Sequence, residues 1–162
     1  MKELINNVTI NNRSSDFIVE KLQKFLDKQV ANLSVLFTKL HHHHWYVKGE
    51  KFFTLHELFE KYYDEINEYY DEFAERLLTI GGNPTSNLKG YLEITSLGEV
   101  NETLSAKEMV KMIHDDFMLI INELKQGIVI AQDVNDEVSA DLFISTSAAL
   151  EKHAWMLRFY LD

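Results

Sequence analysis

The sequence predicts an all-α chain folded as a four-helix bundle, with one long connection between its second and third helices. Three observations predict it. Apolar residues recur at spacings of three and four over four long stretches. Chain breakers are scarce, one Pro and six Gly in 162 residues, and all but Gly127 fall between those stretches. No β-alternation of useful length competes with them. The chain is 46% hydrophobic and 26% charged, too apolar to be disordered and too polar for a membrane bundle. Residues 1–162 are therefore read as one soluble, globular domain, in keeping with about 100 to 200 residues per domain.

The first helix is expected from about Asp16 to His44, where Leu22, Phe25, Leu26, Val30, Leu33, Leu36, Phe37 and Leu40 lay down one apolar stripe. Ser14, Ser15 and Asp16 are its candidate caps, and residues 1–15 a short N-terminal tail. The second is expected from about Thr54 to Ile80 on Leu55, Phe59, Tyr62, Ile66, Tyr69, Phe73 and Leu77. Thr54 and Glu57 supply a capping-box pattern and Gly81-Gly82 the stop. The third, Ala106 to about Ala131, carries Val110, Ile113, Phe117, Ile120, Leu124 and Ile128 behind a second box, Ser105 and Glu108. The fourth, about Glu137 to Tyr160, carries Leu142, Leu150, Leu157 and Leu161. Each helix spans about 36 to 44 Å at about 1.5 Å per residue. Fewer than ten residues join the first two helices, whereas about 24 separate Ile80 from Ser105, enough to cross the bundle. That long crossover is the ferritin-like arrangement rather than the simple up-down one, and Asn87–Glu93 can add a short helix within it.

Sixteen Lys and Arg against 26 Asp and Glu give a formal charge of −10, which repels nucleic acid and anionic lipid and attracts cations. There is no Cys, so any metal must be held by His, carboxylate or main-chain oxygen. No stretch approaches the roughly 18 apolar residues of a membrane span, and Met1–Asn7 has no hydrophobic signal region, which makes the cytoplasm the expected compartment. Neither a phosphate loop, a nucleophile elbow nor a dinucleotide fingerprint is present.

The chemistry is concentrated between residues 41 and 75. His41, His42, His43 and His44 end the first helix; His56 and Glu60, then Asp71 and Glu75, are i,i+4 pairs on the second. Each pair shares a helix face and can present two ligands to one ion. Counting from His56 at about 100° per residue, Glu60 lies at about 40°, Asp71 at about 60° and Glu75 at about 100°, so all four face one side. The two pairs are nevertheless roughly 22 to 28 Å apart along the axis, and metal–ligand bonds are about 2 Å. One straight helix cannot bring both to one ion. A second copy running antiparallel across a two-fold axis can, with symmetry making two such sites. The Glu-x-x-His pattern of intrachain di-iron bundles is absent.

The run Leu40–Gly49 (LHHHHWYVKG), Phe52–His56 (FFTLH), Asp71–Leu77 (DEFAERL), Gly81–Pro84 (GGNP) and the closing Lys152–Leu157 (KHAWML) strongly resemble the Dps family of miniferritins over nearly the whole chain. The resemblance implies a hollow dodecamer that oxidises Fe(II), preferably with hydrogen peroxide, otherwise with dioxygen, and stores the ferric mineral. By matching positions it implies a ferroxidase site of His44, His56 and Glu60 from one subunit with Asp71 and Glu75 of its two-fold mate. Trp45 would lie beside the site as an electron donor to stray oxidant. Glu60 stands where the family commonly has Asp, and His43 where it more usually has an aromatic or apolar residue. Zinc would compete for such a mixed imidazole and carboxylate site. Asp133, Asp136, Glu137 and Asp141 would line a negative pore that concentrates iron, although helix capping alone accounts for Asp136 and Glu137.

Some family members coat DNA with a mobile basic tail. Here residues 1–15 hold only Lys2 and Arg13 as basic residues, so no tight DNA binding is expected. A metal-independent helical oligomer is the remaining alternative. His41 and His42 are expected at a solvated helix end or in a core hydrogen bond. Tyr62, Tyr63, Tyr69 and Tyr70 are expected in packing, and His153 and Trp155 in packing or an interface.

Overall fold

A computed structural model describes the backbone of residues 2–100 and 102–162 and the side chains from residue 17 onward, residue 101 excepted. It contains α1 (Lys2–Tyr46), α2 (Phe52–Thr79), α3 (Leu88–Ile94), α4 (Ala106–Asp133) and α5 (Glu137–Leu161), and no strand among the described residues. The four long helices are the predicted ones, and α3 is the short helix of the crossover. α1 packs along α2, and α4 along α5; α1 joins the halves through α4 and α3. The core lies between the hairpins and is built from the predicted stripes, with Leu26, Leu36 and Leu40 of α1, Phe59 of α2, and Phe117 and Leu124 of α4 fully buried.

Three local expectations need correction. α1 begins at Lys2 rather than near Asp16, as no Gly or Pro interrupts residues 2–15; the side chains of Ser14, Ser15 and Asp16, the expected caps, lie outside the described residues. The Thr54–Glu57 box does not form. Gly49, at φ +101°, turns the chain so that the Phe52 N–H already bonds the Gly49 carbonyl at 3.0 Å and the Leu55 N–H bonds Lys51 at 2.9 Å. α2 thus starts at Phe52, with no side-chain cap. On α5 the buried row runs through Ala140, Phe143, Leu150 and Leu157, leaving Leu142 only half-buried. The Ser105–Glu108 box is present, with both reciprocal hydrogen bonds.

Polar ties hold the crossover and the far corner. Glu123 of α4 accepts hydrogen bonds from Lys28 (2.8 Å), Gln29 (2.7 Å) and Asn32 (2.8 Å) of α1 and from Ser96 (2.6 Å) of the crossover. Burial pushes this carboxyl up, and the donors outweigh it, holding the group below its ordinary value. At the other end the Arg76 guanidinium of α2 donates to Asp136 at 2.6 Å and to Ser139 at 2.8 Å, fastening α2 to the start of α5.

Candidate metal centre

The C-terminal end of α1 and the first turns of α2 lie side by side because only a tight turn at Gly49 separates them. This sets His44 against His56. Their rings stack with centroids 3.7 Å apart and planes 19° from parallel. Each Nδ1 lies 2.8 Å from the other residue's backbone carbonyl. A carbonyl oxygen only accepts, so each Nδ1 carries the proton, and a neutral ring then keeps its lone pair on Nε2. A backbone carbonyl fixing the distal nitrogen is the support that metal-ligating imidazoles characteristically have. The pair therefore fits a divalent ion by the chemistry of its donor atoms. Phe52 also stacks against His56, with centroids 5.1 Å apart.

Glu60 is exposed one turn beyond His56. Tyr63 sits next along this face, packed edge-on against His44 with centroids 5.4 Å apart. Burial, then the carboxylates of Glu60 and Asp64, raise its phenol above the ordinary value. Asp71 and Glu75 are exposed farther along α2, which is one uninterrupted helix. At about 1.5 Å per residue the 15-residue offset separates each acid from its partner by roughly 22 Å. Among the described residues no three His, Asp or Glu side chains of the chain converge as a metal-binding group.

Trp45 is 67% exposed and meets His41 edge-on at 5.4 Å. His41 donates Nδ1–H to the Phe37 carbonyl at 3.0 Å, a local helix bond. His42 is half-buried, with its Nε2 enclosed and unpartnered. His43 points into the core. It is fully buried, its ring is 5.6 Å from that of Phe59, and neither ring nitrogen has a partner. Burial, aided by His42 and Lys39, pushes its pKa down to about 3, so it is neutral and occupies an aromatic side chain's place. His153 is also buried; its Nε2–H donates to Glu65 at 2.8 Å and its ring lies against Tyr62.

Of the four candidate pore acids, Asp133 ends α4, while Glu137 and Asp141 stand exposed on the first turns of α5. Asp136 is engaged. It caps α5 through the Ser139 N–H at 3.0 Å and pairs with Arg76. Sequence reasoning treated Tyr63 as packing and missed its place beside the histidines. The signal was its spacing, seven residues from His56, which returns to nearly the same helix face.

This fold, with two stacked imidazoles on one face, defines a ferritin-like protein, and the model of the Ferritin-like domain family matches residues 23–162. A "DNA protection during starvation protein 2" of Bacillus anthracis is 53% identical over 137 residues, covering 85% of this chain and 94% of its own length. The crystal structure of Dps from Staphylococcus aureus superposes with a TM-score of 0.87 at 44% identity, covering 88% of this chain and 96% of that one. Dps from Listeria innocua soaked with zinc gives 0.85 at 41% identity, covering 86% and 95%. The chain belongs to the Dps family of ferritin-like proteins. Among the described residues no helix is long and apolar enough to cross a membrane.

Proposed function

We propose that this protein is a ferroxidase and iron store. Fe(II) is its substrate, bound by His44, His56 and Glu60 of one subunit with Asp71 and Glu75 contributed by a two-fold mate. The observation that carries this reading is the reciprocal His44–His56 arrangement, which leaves both Nε2 lone pairs free, while among the described residues of the chain no third ligand converges with them. Imidazole and carboxylate together hold Fe(II), and the anionic oxygens favour the Fe(III) that forms. Two ferrous ions each give one electron to one hydrogen peroxide; its O–O bond breaks and two protons complete two waters. Hydrogen peroxide is the proposed oxidant ahead of dioxygen. Delivering both electrons together limits release of hydroxyl radical, and Trp45, exposed next to His44, stands ready to reduce what escapes.

The ferric product is stored inside a dodecameric shell. Iron reaches it through a negative pore lined by Asp133, Glu137 and Asp141, with Asp136 shaping the corner through Arg76. Zinc is the expected competitor for the oxidation site, and the cytoplasm is the proposed compartment. Relatives are named for DNA protection; here protection follows from consuming iron and peroxide rather than from coating DNA, because the chain carries a formal charge of −10.

The test is anaerobic Fe(II) loading followed by a peroxide pulse, reading ferric absorbance, peroxide consumed and particle mass on one sample. Oxidation at two irons per peroxide in an iron-retaining shell supports the reading. Oxidation no faster than that of free iron contradicts it and favours a metal-independent oligomer.

A further inference from the structure

We propose that Tyr63, backed by His41, is a positioning residue that sets the orientation of the His44 ring and so the direction in which its Nε2 is presented. This rests on the reading of His44 as an iron ligand and deepens it by naming what aims the ligand.

One hydrogen bond at Nδ1 fixes the tautomer of His44 but leaves the ring free to tilt about that bond. Two aromatic contacts remove the freedom. His56 stacks against the ring at 3.7 Å, and Tyr63 meets it edge-on at 89°, with centroids 5.4 Å apart. Tyr63 is itself held by α1. His41 stacks on it at 3.8 Å and 21°, and Phe37 meets it edge-on at 6.1 Å. His41 is held in turn by the rings of Phe37, at 4.4 Å, and Trp45, at 5.4 Å, contacts a phenyl ring can keep, and its Nδ1–H also donates to the Phe37 carbonyl. The contacts thus run from the aromatic side chains of α1 through His41 and Tyr63 to His44. Tyr63 spends its ring on this brace. The inference needs the ring of Tyr63 and the flat face of His41, and neither the phenol oxygen nor the His41 Nε2.

Co(II) binding to the full-length, metal-free protein tests it without relying on turnover. The readouts are the dissociation constant and the visible ligand-field band for the wild type, Tyr63→Phe, Tyr63→Leu, His41→Phe and His41→Ala, with particle mass and thermal melting as controls. Tyr63→Phe and His41→Phe keep flat rings and are expected to match the wild type. Tyr63→Leu and His41→Ala are expected to bind about ten- to a hundredfold more weakly, the usual loss when a ligand's support is removed, with a shifted band. Unchanged affinity and band in both truncations overturn the proposal. So does weakening in His41→Phe equal to that in His41→Ala, which would assign the role to the His41 nitrogens rather than to its flat face. Weakening in Tyr63→Phe equal to that in Tyr63→Leu would assign the role to the hydroxyl and also overturn it. If Tyr63→Leu fails to fold, the half-exposed His41 pair decides alone. A wild type that binds no Co(II) refutes the parent reading, an outcome distinct from all of these.

Discussion

His44 and His56 each give their Nδ1 proton to the other's backbone carbonyl, both at 2.8 Å, although twelve residues and a turn separate them. The exchange locks the α1–α2 turn and the tautomers together, so the fold of the hairpin and the orientation of the two imidazoles are one event. Replacing either imidazole by Asn is expected to weaken Co(II) or Zn(II) binding by at least tenfold, since a proposed ligand and the ring stacked on its partner are lost at once. Isothermal titration of the metal-free protein checks this.

His43 is the opposite case, an imidazole in the core with two unpartnered nitrogens. His43→Phe is expected to stabilise the protein by about 1 to 3 kcal/mol, the usual penalty of a buried unsatisfied polar group. Its pKa near 3 when folded, against 6.5 unfolded, fixes the sign of the pH dependence. Between those values the unfolded chain binds a proton that the folded chain does not. Stability is therefore full above pH 6.5 and falls as pH drops, by about 1.4 kcal/mol per unit for this group. Chemical denaturation at pH 7.5 and 5.5 should show a smaller acid loss in His43→Phe than in the wild type; equal losses would remove His43 from the account.

Gly127 lies where α4 meets α1, and a Cβ there would overlap the ring of Phe25. That ring is packed edge-on against Phe143, with centroids 5.2 Å apart, and has little room to yield. Gly to Ala inside a helix ordinarily gains about 1 kcal/mol. Here Gly127→Ala is expected to cost about 1 to 3 kcal/mol instead, and Phe25→Leu to recover part of it. Thermal melting of the two single variants and the double variant checks the sign and the coupling.

The acids at the α4–α5 corner are expected to separate into two behaviours. Asn or Gln at Asp133, Glu137 and Asp141 should slow mineral growth while leaving the first oxidation intact. Asp136→Ala should lower stability instead, because it breaks the Arg76 pair and a helix cap. Stopped-flow oxidation and bulk mineralisation, run on the same preparations, distinguish them; unchanged mineralisation in the triple variant removes the pore from the account.

Features carried by neighbouring residues were legible in the sequence. The stripe of α2 and the Ser105–Glu108 box are set within one or two helical turns, and both are present. Thr54–Glu57 has the same local signature and fails because Gly49 and Lys51, outside the pattern, start the helix earlier. On α5 the apolar flank is wide enough that Leu142 and Phe143 compete for the core, and only packing against Phe25 and Phe73 selects Phe143. Spacing alone placed His56, Glu60, Asp71 and Glu75 on one face of the second helix. The inward turn of His43, the brace at Tyr63 and the four donors converging on Glu123 were not legible, since each joins elements distant in sequence. The partners that satisfy or orient a side chain are set by the bundle, not by the spacing.

In the proposed site one chain's histidines work with another chain's carboxylates. The most direct test mixes His44→Ala/His56→Ala subunits with Asp71→Ala/Glu75→Ala subunits, co-assembled at equal amounts, and measures peroxide-driven Fe(II) oxidation. Each parent should be inactive. In the mixture, half the two-fold dimers are hybrids with one intact site of two, which predicts about a quarter of wild-type activity. No activity above the parents, in hybrids verified by mass, would contradict the shared site.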